Sequence, residues 1–216
     1  MSANKKILCM LPICCYPANP NSNKGNERIQ QYVKGLTKFF EYNDILKKHG
    51  VDIYLVDNSI KVGDSLPRDI LAILPDNVKI NTSLNNTFGA LSKGAGLIEQ
   101  WLYCKDIIAQ YDWFIHFEPR QLLLNFNFIN NFLENLRNLF TIGNNKLHFN
   151  TGLFSIETGK LLDYYKNIDL PKMISSQISI EYDLYNYFKH NNIQYNILDK
   201  MELVWFDIAA KKSRYF

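Results

Sequence analysis

The sequence has little net charge and no long apolar run, and both absences restrict what the protein binds. The formal net charge is +3, and no run of lysine and arginine exceeds two residues, which argues against a surface for DNA or RNA. No apolar run reaches the length of about 18 residues that a membrane-spanning helix requires. We therefore expect no nucleic acid partner and no membrane span.

Cysteine is also scarce. The chain has four, and their spacing fits neither a zinc site nor the disulfide framework of a small secreted protein. They are Cys9, Cys14, Cys15 and Cys104. Cys9 lies in an apolar predicted strand that is followed by Pro12 and Pro17 instead of the small residues of a signal-peptide cleavage site. The pattern favours reduced thiols and a cytoplasmic protein.

The two common glycine-rich phosphate motifs are missing as well. Gly89, Gly94 and Gly96 do not have the spacing of the dinucleotide-binding fingerprint, and no glycine-lysine-serine ending marks a Walker loop. The same segment nevertheless combines these glycines with Lys93 and runs into a predicted helix, whose free amides would favour an anion. An anion-binding loop and a merely flexible loop are both compatible with this pattern.

What the sequence does contain is enough for one α/β domain. The length of 216 residues and the apolar share of 47% fit one domain, residues 1–216, better than two. Residues 5–12 predict a buried strand, a helical stripe follows at 28–49, and residues 51–58 predict a second strand. This order implies a right-handed parallel unit. We expect a mostly parallel central sheet flanked by helices, with further strands at 78–82, 113–117, 153–156 and within 195–206.

Polar residues stand at the ends of two of these strands. His116, Glu118 and Arg120 lie two apart and so share one face at the end of the middle strand. Asp57 and Asn58 end the second strand. Ligands of open α/β sheets bind outside the carboxyl ends of strands, so both groups are candidates for a binding site. A salt-bridged strand end and a turn-forming segment are the alternatives.

Two segments of the carboxyl-terminal half carry further candidates. The polar tripeptide 150–152, which begins with Asn150, precedes a predicted strand, and we expect the backbone to turn tightly there beside a ligand. Ser179 is a predicted helix cap, which places Glu181 and Asp183 in the first turn of a helix. Either carboxylate could act as a general base, or both could simply stabilise the helix dipole.

Taken in order, these segments resemble the nucleotide-sugar-dependent glycosyltransferases of the GT-A fold. The matching pieces are an apolar first strand ending in proline, a second strand ending in an acid, the glycine-rich loop that opens a helix, and a middle strand whose end carries an acid. The Asp-x-Asp motif of the family falls on His116-Phe117-Glu118, and Asn150 matches its later turn beside the donor sugar. Within the family the chain is similar to the small amino-terminal glycosyltransferase domains of chlorella viruses, which implies further domains in a longer chain and the host cytoplasm.

The resemblance implies a single Rossmann-like domain of the GT-A type. Such an enzyme moves a hexosyl or deoxyhexosyl group from a nucleoside diphosphate sugar, with a UDP-sugar favoured, to a hydroxyl of an oligosaccharide acceptor. The donor would contact residues at the strand ends and in the glycine-rich loop: Pro12, Asp57, Asn58, Asn86, Gly89, Lys93, Gly94, His116, Arg120 and Asn150.

The resemblance also implies a metal ion at the diphosphate. Glu118 and His116 would bind it, with Asp207 as a further ligand. Histidine in place of the family's first aspartate favours Mn²⁺ over Mg²⁺, because manganese accepts a nitrogen ligand more readily. Arg120 could instead pair with the diphosphate directly, which would make the enzyme independent of metal.

The expected chemistry needs a cation at the leaving diphosphate and, if the reaction inverts, a base at the acceptor. Glu118 with its metal, aided by Lys93, would serve the first need. We prefer Asp183 to Glu181 as the base, because it lies nearer the middle of the first helical turn. The alternatives are a nucleotidyltransferase that makes activated sugars and an inactive module that binds sugar nucleotides.

Overall fold

The computed structural model describes residues 5–18, 25–143, 147–200, 203–207 and 212–215, with side chains up to residue 204. Among these residues, no helix combines the length and the hydropathy that a membrane span requires. In chain order the elements are β1 (Ile7–Ile13), α1 (Asn26–Phe40), α2 (Asn43–Lys48), β2 (Val51–Asp57), α3 (Arg68–Leu71), β3 (Val78–Thr82), a 3-10 turn (Phe88–Ala90), α4 (Lys93–Tyr103), α5 (Lys105–Ile108), β4 (Trp113–Phe117), β5 (Gln121–Leu123), α6 (Asn127–Asn135), β6 (Leu139–Ile142), β7 (Phe149–Glu157), α7 (Thr158–Asn167), α8 (Leu170–Ser175), α9 (Ile180–His190), β8 (Asn196–Leu198), β9 (Leu203–Asp207) and β10 (Lys212–Tyr215).

Seven strands form the central sheet in the order β3-β2-β1-β4-β7-β6-β8. Strands β3, β2, β1 and β4 run parallel, and so do β6 and β8, whereas β7 is antiparallel to its neighbours β4 and β6. Strands β5, β9 and β10 form a second, antiparallel sheet. The predicted α/β fold with a mostly parallel central sheet is confirmed.

Helices cover both faces of the central sheet. Successive residues of a strand point to opposite sides, so each strand contributes side chains to both cores. On one face, Cys9 and Leu11 of β1 belong to a core that includes residues of α1, α2, α3 and α6. On the other face, Leu8 and Met10 belong to a core that includes residues of α4, α5, α7, α8 and α9. The largest fully buried side chains are mostly aromatic, so the many aromatic residues serve chiefly as core.

Pro12 does not end the first strand, which continues to Ile13. It is paired with Val56 of β2, but β1 has already passed its last pair with β4, Met10 with His116. Proline is tolerated where a strand has an unpaired side, since its missing amide breaks no ladder there. Pro12 therefore lies at a strand end that is open toward β4.

The tripeptide 150–152 does not form the predicted tight turn. Asn150, Thr151 and Gly152 all lie inside β7, which starts at Phe149. The strand extends beyond its last pair with β4 by pairing with β6, where Asn150 stands opposite Thr141. The polar residues that suggested a turn are instead the part of the strand that lines a cavity.

Candidate functional site

A cavity of about 1290 Å³ lies at the carboxyl ends of the parallel strands. The chain passes from β1 to β2 and β3 on one side of the sheet and then returns to β4 on the other, so the strand order reverses between β1 and β4. Open α/β sheets bind ligands at such a reversal. The cavity collects most of the residues that the sequence singled out: Pro12, Asn58, Asn86, Gly89, Lys93, Gly94, His116, Glu118, Arg120, Asn150 and Glu181.

Asp57 does not line this cavity. Its side chain is fully buried, and its carboxylate accepts hydrogen bonds from the backbone amide of Cys15 at 2.9 Å and from the amide and hydroxyl of Ser59 at 2.6 Å each. Asp57 therefore fixes the loop that follows β1. The residue that lines the cavity at this strand end is Asn58, whose Nδ2 donates to the carbonyl of Gly96 at 3.3 Å and whose buried Oδ1 has no hydrogen-bond partner.

An ion pair between Glu118 and Arg120 lies on the cavity wall. Arg120 donates from Nη2 and Nε to Oε1 of Glu118, at 2.8 and 3.2 Å, and Gln121 donates from Nε2 to Oε2 at 3.4 Å. The Arg120 side chain is 11% exposed and that of Glu118 33%. Burial raises the pKa of Glu118, but the charge of Arg120, with a smaller contribution from Arg28, outweighs it and holds that pKa below its usual range. Both partners are therefore charged.

Helix α1 fixes the position of this ion pair. Gly35 faces the segment between β4 and β5, and a Cβ atom added to it would lie 1.9 Å from the carbonyl oxygen of Pro119. Only glycine allows so close an approach of the helix to the backbone between Glu118 and Arg120. The same helix brings Arg28, which is 7% exposed, to the cavity wall.

His116 is held in an aromatic stack. Its ring lies on Phe154, with centroids 5.0 Å apart and planes at 20°, and edge-on to Trp101 at 5.3 Å. Burial lowers the pKa of His116 to about 3, and the charge of Glu118 opposes this shift only partly. The imidazole is therefore neutral at physiological pH, and its buried Nδ1 has no hydrogen-bond partner.

The described residues do not fit the metal site that the fold implies. The part of the chain with described side chains contains no group of three His, Cys, Asp or Glu residues able to hold an ion. Glu118 is already paired with Arg120, and His116 is enclosed by aromatic rings. Asp207 ends β9, but its side chain lies outside the described residues.

The glycine-rich segment packs against its own helix. A Cβ atom on Gly96 would lie 2.5 Å from Cα of Gly89, so the loop touches α4 at that point. Glu99 of α4 accepts hydrogen bonds from the amides of Thr87 and Phe88. Gly89 and Gly96 thus allow two stretches of backbone to approach each other, and both line the cavity together with Lys93 at the start of α4.

The two candidate bases in α9 point to different places. Glu181 lines the cavity and accepts a hydrogen bond from the hydroxyl of Thr151 at 3.2 Å. Asp183 is not among the lining residues and accepts from the hydroxyl of Tyr164 in α7 at 2.8 Å. Ser179 caps the helix as predicted, by accepting from the amide of Tyr182. The side chain that reaches the cavity is therefore Glu181, and our preference for Asp183 has no support in this placement.

Two lining residues, Arg28 and Thr151, were not predicted as site residues. Arg28 occupies the first turn of α1, four residues before the buried Tyr32, so it lies on the apolar stripe of the helix. The available signal was the position of this arginine, on the buried face of a helix that follows the loop after β1. A charged residue at such a position could have indicated a site. Thr151 was part of the tripeptide that we interpreted as a turn, and it gave no separate signal.

Solved structures identify the fold. A Desulfovibrio desulfuricans G20 protein assigned to the nucleotide-diphospho-sugar transferases aligns with a TM-score of 0.58 and 10% identity, over 90% of this chain and 80% of that chain. The bifunctional glycosyltransferase WbbM aligns with a TM-score of 0.52 and 8% identity, over 92% of this chain and 39% of that chain. The fold is that of the GT-A nucleotide-sugar transferases. No protein-family model and no curated protein matches the sequence.

A viral glycosyltransferase is also among the structural neighbours. It is involved in the glycosylation of the major capsid of PBCV-1 and aligns with a TM-score of 0.47 and 11% identity, over 90% of this chain and 82% of that chain. A score of this size carries no argument about function. The two neighbours with TM-scores above 0.5 agree on the fold, at low sequence identity.

Proposed function

We propose that the protein is a glycosyltransferase that moves a hexosyl or deoxyhexosyl group from a nucleoside diphosphate sugar to a hydroxyl of a glycan. A UDP-sugar is the favoured donor. The observation that carries this proposal is the cavity at the strand reversal, which is lined by the guanidinium groups of Arg28 and Arg120 and by the carboxylate of Glu181. A nucleotide-sugar donor needs three neighbouring regions: a site for the nucleobase, a cationic centre for the diphosphate, and a place for the sugar and the acceptor.

The donor is oriented by the order of the lining residues. The nucleoside lies at the ends of β1 and β2, beside Asn58. The diphosphate lies between Lys93 at the start of α4 and Arg120 at the end of β4. The sugar then extends toward Asn150 and Glu181.

The transfer step needs the leaving group stabilised and the acceptor activated. The acceptor oxygen forms a bond to the anomeric carbon while the bond from that carbon to the phosphate oxygen breaks. The departing diphosphate gains negative charge, which the cationic centre stabilises. In an inverting reaction Glu181 takes the proton of the acceptor hydroxyl, and the hydrogen bond from Thr151 holds its carboxylate in place.

Product analysis with a panel of nucleotide sugars tests this proposal. The purified chain is incubated with each donor and with mixed oligosaccharide acceptors, and the released nucleotide is separated by chromatography. Release of a nucleoside diphosphate is the expected result. Release of pyrophosphate from a sugar phosphate and a nucleoside triphosphate would instead identify a nucleotidyltransferase.

An inactive sugar-nucleotide-binding module is the second candidate. One observation favours it: the residue at the position of the family's first aspartate is His116, enclosed in the aromatic stack. Donor binding without hydrolysis or transfer, for every donor and acceptor tried, would support this candidate against the enzyme.

A further inference from the structure

We infer that the segment joining α8 to the first turn of α9 binds the glycan acceptor, through the side-chain amide of Gln177 and the aromatic ring of Tyr182. The inference rests on the proposed function of the same cavity. It extends that function to the acceptor side, where Glu181 alone has been given a role, and it assigns two residues that the sequence had not indicated.

Gln177 has a backbone conformation that glutamine rarely adopts. Its φ is +52°, in the left-handed region, at the second residue after α8. Its amide donates to the carbonyl of Ile174 at 3.2 Å, and the amide of Ile178 donates to the carbonyl of Met173 at 2.9 Å. This pair of bonds is the Schellman ending of a helix, in which glycine is the usual left-handed residue. A glutamine there makes the fold less stable than a glycine would.

Other helix ends in the described part of the chain show what accounts for a left-handed residue. Gly50, with φ +68°, follows α2. Asn192 follows α9 with φ +52° and the same pair of hydrogen bonds, and asparagine tolerates this conformation better than most residues do. Leu136 ends α6, and its side chain packs against the core. Gln177 is neither glycine nor asparagine, and it is exposed, so packing does not account for it.

The position of Gln177 at the cavity accounts for it instead. Gln177 lines the cavity, four residues before Glu181. Its side-chain amide makes no hydrogen bond to another residue in the described part of the chain, so its oxygen and its two N–H donors are available to a ligand. A sugar hydroxyl both donates and accepts, and a primary amide satisfies both needs. Unfavourable backbone conformations are found preferentially at binding sites.

Tyr182 presents an aromatic ring next to the proposed base. It follows Glu181 in the first turn of α9, lines the cavity and is 48% exposed. One face of a pyranose ring consists of C–H groups, which pack favourably on an aromatic ring, while the hydroxyl groups lie at the edge of the sugar. A half-exposed ring together with an available amide therefore matches a saccharide.

The location of this segment favours the acceptor over the sugar of the donor. A Cβ atom added to Gly94 would lie 3.2 Å from Ile180, so the beginning of α9 lies against the beginning of α4, next to Lys93 and the proposed diphosphate site. The transferred sugar must lie between the diphosphate and the acceptor, which encloses it. A glycan acceptor must extend out of the cavity, and Gln177 and Tyr182 are both exposed to solvent.

Acceptor kinetics with methyl glycosides test the inference. Release of nucleoside diphosphate from the best donor is measured against methyl glycosides of monosaccharides and disaccharides. Gln177→Ala and Tyr182→Ala should each raise KM for the acceptor by about fivefold or more, since each removes a contact made by the bound acceptor, while KM for the donor changes by less than about twofold. Tyr182→Phe keeps the ring and should retain the KM values of the wild type.

Asn192 and Tyr103 provide matched controls. Asn192 has the same φ and the same hydrogen bonds as Gln177, Tyr103 is 43% exposed at the end of α4, and neither lines the cavity. Asn192→Ala and Tyr103→Ala should therefore leave both KM values unchanged. Thermal unfolding verifies that each variant is folded, and Tyr182→Leu replaces Tyr182→Ala if that variant is not.

The variant Gln177→Gly separates a structural role from a binding role. Glycine relieves the left-handed conformation, so Tm should stay equal to that of the wild type or rise by up to about 2 °C. KM for the acceptor should nevertheless rise by about fivefold or more, because the amide is lost. This variant also replaces Gln177→Ala if the alanine variant does not fold.

The same measurements distinguish failure of the inference from failure of the proposed function. If the wild type transfers sugar but KM for the acceptor is unchanged by removal of the side chain of either Gln177 or Tyr182, the inference is overturned and the proposed function stands. If no methyl glycoside supports release of nucleoside diphosphate by the wild type with any donor, both are overturned.

Discussion

Asp57 and Glu118 both stand at the carboxyl end of a parallel strand, yet their surroundings differ. Asp57 is fully buried and accepts hydrogen bonds from Cys15 and Ser59. Glu118 is one-third exposed and pairs with Arg120 at the cavity. The same position in a sheet therefore either fixes the neighbouring loop or faces a ligand, depending on whether the loop turns back over the carboxylate. Changes at Asp57 should affect stability, and changes at Glu118 should affect binding.

The largest expected effect is that of Asp57→Ala on stability. Three buried donors, on Cys15 and Ser59, lose their acceptor, so the free energy of unfolding should fall by about 3 kcal/mol or more. Urea denaturation measures the change. Asp106→Ala, on the surface of α5, is the control and should stay within about 0.5 kcal/mol of the wild type. A stable Asp57→Ala protein that no longer binds UDP would mean that Asp57 faces the ligand as Glu118 does.

A second prediction extends the comparison to the two carboxylates of α9. Glu181→Gln should lower the rate of sugar transfer by about a hundredfold, because the acceptor hydroxyl loses its base, while UDP binding is retained. Asp183→Asn is the matched control: its amide oxygen still accepts from Tyr164, and transfer should continue. Initial rates at saturating donor measure both. Full activity in Glu181→Gln together with loss in Asp183→Asn would reverse the assignment.

A third prediction concerns the packing that positions Arg120. Gly35→Ala inserts a methyl group 1.9 Å from the carbonyl oxygen of Pro119, which should lower the free energy of unfolding by about 2 kcal/mol and weaken UDP binding as the segment shifts. In Gly159→Ala, on α7, the new methyl group meets no atom within 4 Å, and this variant should be as stable as the wild type or slightly more stable. Chemical denaturation and calorimetry compare the two. Unchanged stability of Gly35→Ala would show that α1 does not restrain the ion pair.

The smallest expected effect is a pH dependence from His116. Burial lowers the pKa of His116 in the folded protein to about 3. Below the ordinary histidine pKa of about 6.5, the unfolded chain therefore binds a proton at His116 that the folded protein does not bind. Stability should therefore fall as the pH drops from about 6.5 toward 3, by about 1 kcal/mol between pH 7 and pH 5.5. His116→Phe keeps an aromatic ring beside Phe154 and should lack this contribution. If the two proteins lose stability equally as the pH falls, the folded protein protonates His116 as readily as the unfolded chain does, and the prediction is wrong.

The strands of the parallel half follow from the sequence, but the directions of their terminal side chains do not. Short apolar runs predict β2 and β4, because a strand that is covered on both faces consists mainly of apolar residues. Asp57 and Asn58 are neighbours and so point to opposite sides. Which of them faces the cavity depends on how the loop after β1 folds, and that loop is held by Cys15 and Ser59, which no local pattern connects to Asp57.

The carboxyl-terminal half was less predictable for a different reason. Asn150 and Thr151 are polar because they line the cavity, and polarity within a strand has the same appearance in the sequence as a turn. The first turn of α9 was predicted, but the choice between Glu181 and Asp183 depends on the packing of α9 against α7 and β7. Both cases require contacts between distant segments, which periodicity and spacing do not contain.

A crystal structure of the chain with UDP tests the central claim most directly. We expect the base beside Asn58 and the diphosphate between Lys93 and the guanidinium group of Arg120. A nucleotide bound outside this cavity, or a diphosphate that contacts neither Lys93 nor Arg120, would contradict the account.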